Sequence, residues 1–227
     1  MCGRYVRARE KVELADLFTA TVAGEIPKAS WNIPPTTTQP IVASLDGGRA
    51  LTPAYWSLLT SRAKELKPPF DSKNAKTENA MTSERGPYPS AWAKYVPRQR
   101  CLIPADGYYE WVGPKGAKTP FYMHPVDESV LAFAGLYSWW SDGARDVLTF
   151  TIFTMPAVDE LAPIHDRNPV ALPKDWWDRW LDPSVKGDQA LVDAAAAASR
   201  PLMSALDFYP VAPLRGDGPE LTVPAAS

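Results

Sequence analysis

The sequence predicts an α+β fold: a single domain with a curved, barrel-like, mostly antiparallel β-sheet core flanked by helices. Three observations carry this expectation. Short strand-like runs separated by compact turns dominate, above all after residue 100. The chain holds 24 Pro in 227 residues, about twice the ordinary usage of roughly 5%, and proline suits strand edges and turns better than helical bundles. Helical periodicity is confined to a few short stretches. No repeat and no linker divides residues 1–227, and 45% apolar residues are enough for one sizeable core.

The elements follow in order. Glu10 to Ala20 sets Leu14, Leu17 and Phe18 at helical spacing, which predicts an amphipathic helix. Trp31-Asn32-Ile33-Pro34-Pro35 is extended, because each Pro bars its predecessor from the helical region. Gln39–Ser44 and Arg49–Trp56 flank Asp46-Gly47-Gly48, a hairpin pattern. Thr60–Lys73 is a basic loop broken by Pro68-Pro69. Asn74–Ser83 leaves strand and helix open, and Pro89–Tyr95 predicts one short helix. Arg100–Pro104 and Gly107–Val112 are strands around a Pro-Ala-Asp-Gly turn. Further strands are Thr119–His124, Val130–Trp139 and Val147–Thr154, with turns at Gly113–Lys118 and Ser141-Asp142-Gly143. Ala157–Pro163 is a short helix or a turn, and Pro169–Leu172 is extended. Trp176–Leu181 and the Ala-rich Gln189–Ser199 are helical. Leu206–Val211 is a last strand, and about 213–227 is expected to be a loose C-terminal tail.

Composition narrows the function. Two Cys do not make a disulfide framework, the first residues lack the apolar core of a signal peptide, and no apolar run is long enough to span a bilayer. An intracellular, reducing location without a membrane is expected. Net charge is −2, but it is unevenly spread. Residues 1–101 hold 15 Lys/Arg against 9 Asp/Glu, and residues 102–227 hold 9 against 17. Arg62 to Arg100 is the densest part, with nine basic and four acidic residues. A localised basic face is the footprint of phosphate binding, against the alternative of a solvated surface.

Four places carry candidate chemistry. Met1-Cys2-Gly3-Arg4 would lose its initiator Met, leaving Cys2 with an α-amine and a thiol on adjacent carbons. That amine, with an ordinary pKa of roughly 7.7–8.0, is partly neutral near pH 7 and condenses with an aldehyde. The thiol can then close on the imine carbon to give a thiazolidine. Glu110 lies in Tyr108-Tyr109-Glu110-Trp111, where strand alternation puts it on the face of Tyr108. Burial there would raise its pKa and suit general acid/base work, whereas an edge position would leave it a plain exposed Glu. His165, one of two His, lies in a turn-like Ile164-His165-Asp166-Arg167-Asn168-Pro169-Val170 segment. Asn74, inside the basic stretch, could bond a phosphate or sugar oxygen or cap a helix. Two Cys and two His without ligand spacing make no metal site, and Cys101 is expected in the core.

Several motifs occur together: Met-Cys-Gly-Arg-Tyr, Trp-Asn-Ile-Pro-Pro-Thr, Lys-Asn-Ala-Lys-Thr-Glu, Arg-Cys-Leu-Ile-Pro-Ala-Asp-Gly-Tyr-Tyr-Glu-Trp, Phe-Ala-Gly-Leu-Tyr and Ile-His-Asp-Arg-Asn-Pro-Val. In this order, from Met1 to about Leu181, the chain resembles the SRAP family of SOS-response-associated peptidase-like proteins. The resemblance implies a single α+β domain that crosslinks abasic sites in single-stranded DNA through a thiazolidine at the N-terminal Cys, shielding the lesion. It also implies removal of the initiator Met, by the protein itself in one reading. It implies no cofactor, a monomer, and a cytoplasmic, nucleoid-associated setting of bacterial type. Carried over by position, Cys2 would crosslink, Asn74 would orient the opened sugar, and Glu110 and His165 would move protons. Arg4, Lys76 and Arg167 would hold phosphates, with Arg85 a further candidate from the basic stretch.

This sequence departs from the family at three places. Lys76 stands where the family usually has Arg, so the charge is kept without the bidentate fork. Asn168 stands where it favours Met. Ser57-Leu58-Leu59-Thr60 replaces Gly-Leu-Ile-Pro, and Ser61–Lys67 holds no counterpart of the following DNA-stacking aromatic. Two other classes compete with the crosslinking reading. One is an N-terminal-nucleophile thiol peptidase acting on peptides. The other is a plain nucleic-acid-binding module in which Cys2 is incidental.

Overall fold

The computed structural model describes residues 3–60, 63–67 and 71–225. In chain order the elements are β1 (Tyr5–Arg7), α1 (Lys11–Phe18), β2 (Thr21–Val22), β3 (Ser30–Ile33), β4 (Thr38–Leu45), β5 (Gly48–Trp56) and β6 (Asn74–Lys76). Then come β7 (Arg100–Ala105), β8 (Gly107–Val112), β9 (Thr119–Pro125), β10 (Leu131–Ser141), β11 (Asp146–Pro156) and β12 (Arg167–Pro169). Helices α2 (Lys174–Leu181) and α3 (Gln189–Ser204) and strand β13 (Leu206–Pro210) follow.

Five strands close a barrel. The hairpin β4–β5 turns on Asp46 and Gly47, both with positive φ (49° and 81°), as a two-residue hairpin turn requires. β4 pairs with β7, β7 with β10 and β10 with β11, all antiparallel. β11 then meets β5 in parallel through Thr149–Tyr55 and Phe150–Trp56, which completes the ring. Closure needs close backbone approach: a methyl group at Gly135 would collide with Thr151 O and Ile103 Cδ1. A second sheet, β13-β9-β8-β1-β3, is antiparallel throughout and joins the barrel across the single residue Asp106 between β7 and β8.

The core fills from both sheets. Tyr5 of β1 and Tyr108 of β8 meet Phe133 edge-on at 6.4 and 6.0 Å, and Tyr5 meets Trp56 at 5.1 Å. The outer face of the second sheet has its own smaller cluster around Val6, Tyr109, Tyr122 and Val211. Buried indoles need a partner for their N–H, and four of them find a backbone carbonyl. Trp180 donates to Cys101 O, Trp177 to Leu172 O, Trp140 to Ala63 O and Trp56 to Lys73 O, at 2.8–2.9 Å. The last of these fixes the start of β6.

The expected fold class is the observed one, and most strands fall where the pattern puts them. Three local expectations change. Pro89–Tyr95 is a run of bends and turns, not a helix: Ser90 Oγ accepts from the N–H of Trp92 and Ala93. The second helix of the C-terminal half continues past Ser199 to Ser204 with Pro201 inside it. The tail is not loose as far as residue 225. Leu221 is buried in a short 3-10 turn, Val211 bridges Pro224, and Asp217 accepts from the Trp31 N–H. The apolar Leu221 and the acceptor on Asp217 each found a site on the second sheet that sequence proximity does not reveal.

Candidate active site and nucleic-acid interface

One strand end gathers most of the candidate residues. Ile152–Thr154 of β11 pairs in parallel with Asn74–Lys76 of β6, while Thr154–Pro156 pairs with Arg167–Pro169 of β12. Ala75 points into the core and is fully buried, so alternation turns Asn74 and Lys76 to the opposite side. They line a cleft of about 320 Å³ together with Asp71, Glu84, Arg85 and Trp92. The ambiguous 74–83 stretch thus resolves into a short strand and a 3-10 turn at Thr77–Asn79, with Asn74 on a strand and not at a helix cap.

Glu110 is only 5% exposed. It shares the inner face of β8 with Tyr108, at the end of the aromatic plug. Burial pushes its carboxyl above the ordinary carboxylate range; His165 pulls it back and Asp166 pushes it further up. The three groups therefore feel one another across the site. A raised folded-state pKa has a sign for stability. Between the ordinary value near 4.5 and the raised one, the native state holds more protons than the unfolded chain, so stability falls as pH rises through that window. Glu110→Gln is expected to flatten this decline. Urea unfolding at pH 4 and pH 8 measures it: the variant should gain on wild type at pH 8 and not at pH 4, and an equal difference at both would contradict a buried, raised carboxyl.

His165 sits in the turn before β12. Its Nδ1 lies 3.0 Å from the Arg167 N–H and 2.7 Å from Asp166 Oδ1. The amide contact needs Nδ1 as an acceptor and the carboxylate contact needs it as a donor, so the ring's tautomer selects between the Arg167 N–H and Asp166. Asn168 anchors this turn. It is 1% exposed, accepts from the Val158 N–H at 3.0 Å and donates to Pro169 O at 2.8 Å. A Met there could make neither bond, so the departure from the family pattern is a polar staple under the His165 turn.

Arg167 is placed differently from a free phosphate ligand. Its guanidinium grips Glu78 with two bonds of 2.8 and 2.9 Å and also donates to Thr154 Oγ1 and O. Those bonds pull the Glu78 carboxyl down to about 2. Glu78 lies within the Lys-Asn-Ala-Lys-Thr-Glu motif, yet nothing in the spacing pairs it with a residue 89 positions away. Lys76 is held by Glu84 at 2.7 Å. Arg85 is exposed and has no ion-pair partner among the described residues. Arg4 is half-buried, donates to Asn32 Oδ1 at 3.1 Å, and Asn32 passes the contact on to Gly216 O.

Other basic residues of the sequence are structural. Arg100 is 2% exposed and donates to five backbone carbonyls. Arg7, fully buried, holds the carbonyls of Arg9, Pro27 and Lys28. Lys73 pairs with Asp71. The basic surface around the cleft is therefore narrower than the charge count of 62–100.

Cys2 lies outside the described residues. Its neighbour can be located: β1 and β8 pair Tyr5 with Tyr108, and the Tyr109 N–H donates to Arg4 O at 2.9 Å. The strand that follows Cys2 in sequence thus runs beside the one that carries Glu110. Cys101 is fully buried in the core with its thiol pushed well up by desolvation, as befits an inert side chain. Among the described residues no three His, Cys, Asp or Glu converge as metal ligands, and no helix is long and apolar enough to cross a membrane.

Comparison with known proteins bears on this arrangement. The sequence profile of the SOS response associated peptidase (SRAP) family matches residues 1–215. Among curated proteins, abasic site processing protein YoaM of Bacillus subtilis is 32% identical over 191 residues, covering 81% of this chain and 80% of the relative. Among solved structures, a phage-related protein of Bordetella bronchiseptica is 30% identical with a TM-score of 0.71, over 92% of this chain and 94% of that one. A protein of Bacteroides thetaiotaomicron shares the fold at 18% identity, with a TM-score of 0.80 over 99% and 100% of the two chains. The motifs that surround Glu110, Asn74 and His165 lie inside the matched region, and the chain belongs to the SOS response associated peptidase (SRAP) family.

Proposed function

We propose that this protein recognises abasic sites in single-stranded DNA and caps them as a thiazolidine crosslink through Cys2, after Met1 is removed. The observation that carries the reading is Glu110, buried on the strand that pairs with β1, with its carboxyl pushed up by that burial. β1, the strand that follows the N-terminal nucleophile in sequence, pairs with β8, the strand that carries the proton donor Glu110. Relatives named for abasic site processing support the same substrate.

An abasic sugar is a hemiacetal in equilibrium with its aldehyde. Protonated Glu110 or the His165 ring delivers a proton to the ring oxygen, and the ring opens. The neutral Cys2 amine attacks C1′, and the carbinolamine loses water to give an imine. The thiol adds to the same carbon while its proton passes to the nitrogen, closing the five-membered ring with no net redox change. Asn74 is set to orient the opened sugar, and Lys76 and Arg85 to hold flanking phosphates. Arg4 and Arg167 act chiefly by keeping the walls of the site in place.

The test is intact mass. Wild-type protein incubated with an abasic single-stranded oligonucleotide should give a heat- and SDS-stable species equal to the chain without Met1, plus the DNA, less one water. Absence of that species, or a chain that retains Met1 throughout, would overturn the proposal. Turnover of unrelated peptides without any adduct would instead support the thiol-peptidase alternative.

A further inference from the structure

We propose that Tyr88 is a stacking platform for an unpaired nucleobase beside the phosphates held by Arg85 and Lys76; this rests on the strand-binding part of the reading above. Tyr88 is 69% exposed, an uncommon state for a large ring in a chain that buries most of its aromatics. The loop that carries it is closed and braced. Thr82 bridges Pro89, the Ser83 N–H donates to Tyr88 O at 2.8 Å, and the Tyr88 N–H donates to Gly86 O at 2.8 Å. Ser90 ties the far side of the loop to Ala80 O at 2.7 Å. Gly86 has φ of 137°, a conformation that side chains avoid, and the place its Cβ would occupy is 3.6 Å from the Tyr88 ring. The ring is thus backed by a glycine on one side and open to solvent on the other.

Charge decides what such a ring can receive. The same loop supplies Ser83, Glu84, Arg85 and Ser90 to the wall of the Asn74–Lys76 cleft, so the loop that carries Tyr88 is part of that wall. Glu84 is spent on Lys76 and Asn79, which locks the loop to the cleft and leaves Arg85 as its unpaired charge among the described residues. Among the described residues the other exposed large aromatic, Trp139, is 52% exposed beside a cleft whose one charged lining residue is the acidic Asp146. An open aromatic face next to a cation suits a base followed by its phosphate: every base has a π-face, and stacking on an aromatic contributes about 1–3 kcal/mol per base.

The experiment is fluorescence anisotropy of the full chain with a labelled, intact single-stranded oligonucleotide across a salt series, together with adduct formation on the abasic strand. Tyr88→Ala should weaken binding roughly 5- to 100-fold and leave the slope of log K against log salt unchanged. Tyr88→Phe should bind as wild type. Arg85→Ala should lower the steepness of that slope by about 0.7, the share of one phosphate contact on a single strand. Equal affinity of Tyr88→Ala and wild type, or a Tyr88→Ala defect that appears as a loss of salt slope, would overturn the inference while adduct formation leaves the proposed function standing. A wild-type chain that neither binds the intact strand nor forms the adduct would overturn both. The thermal midpoint of Tyr88→Ala, expected to match wild type for so exposed a side chain, keeps a folding defect from being read as lost stacking.

Discussion

Replacing Cys2 by Ala is expected to abolish the stable adduct with abasic single-stranded DNA, the largest effect on activity of any single change in this chain. The reason lies in the bonds. An alanine N-terminus keeps the amine, so the imine still forms, but no sulfur is present to close the ring and the imine hydrolyses back. Borohydride, which reduces the imine to a stable amine, should therefore trap the Cys2→Ala protein on the oligonucleotide, while heat and SDS without reductant should release it. A stable, unreduced adduct at the wild-type level would refute the thiazolidine. Glu110→Gln keeps the shape of the side chain and removes the transferable proton. It should slow adduct formation by about 10²- to 10⁴-fold, the usual share of general acid/base help, with little change in affinity for the intact strand. The wild-type rate should also be bell-shaped in pH. Its acid limb follows loss of the neutral Cys2 amine, and its alkaline limb follows ionisation of the raised Glu110 carboxyl.

The second large effect is on stability. Arg100→Met is expected to cost about 3–5 kcal/mol, because it strands buried acceptors that nothing else can reach. Arg100 donates to the carbonyls of Val96, Pro97, Trp180, Asp182 and Val185 at 2.6–2.9 Å, and its guanidinium lies 5.8 Å from the centre of the Trp180 ring. Burial holds its pKa below the ordinary arginine value, a desolvation cost that the five carbonyls offset. Losing them loosens the 96–100 segment, the end of α2 and the loop after it at once. That is a large part of the roughly 5–15 kcal/mol that holds a domain of ordinary stability together. Urea unfolding measures the loss. Arg98→Met, whose side chain makes one exposed bond to Pro183 O, serves as the neighbouring control and should lose under about 1 kcal/mol. A Arg100→Met variant as stable as the control would show that water can take over those acceptors.

The same residue illustrates how far charge can be read from sequence. Arg100 and Arg85 look alike in a count of the basic stretch. One is consumed inside the fold by five carbonyls, three of them 80 to 85 residues away, and the other stands in solvent beside the cleft. Glu78 is another case: it sits in the Lys-Asn-Ala-Lys-Thr-Glu motif, but its partner Arg167 is contributed by a strand on the far side of β11. Asn168 was legible only as a departure from a pattern, and its two buried bonds explain it as a support for the His165 turn.

What the sequence determined by itself was whatever depends on near neighbours. Alternation along β8 put Glu110 with Tyr108, the Asp46-Gly47 pair set the hairpin, proline density ruled out a bundle, and the ordered motifs pointed to the family. Only the tertiary structure decided which carboxyl is buried, which cations are consumed by carbonyls or carboxylates, and that the last residues pack on the second sheet. The physical reason is that burial and ion pairing are long-range outcomes of barrel closure. β11 reaches β5, β6, β10 and β12 at once, and no local window of sequence contains those partners.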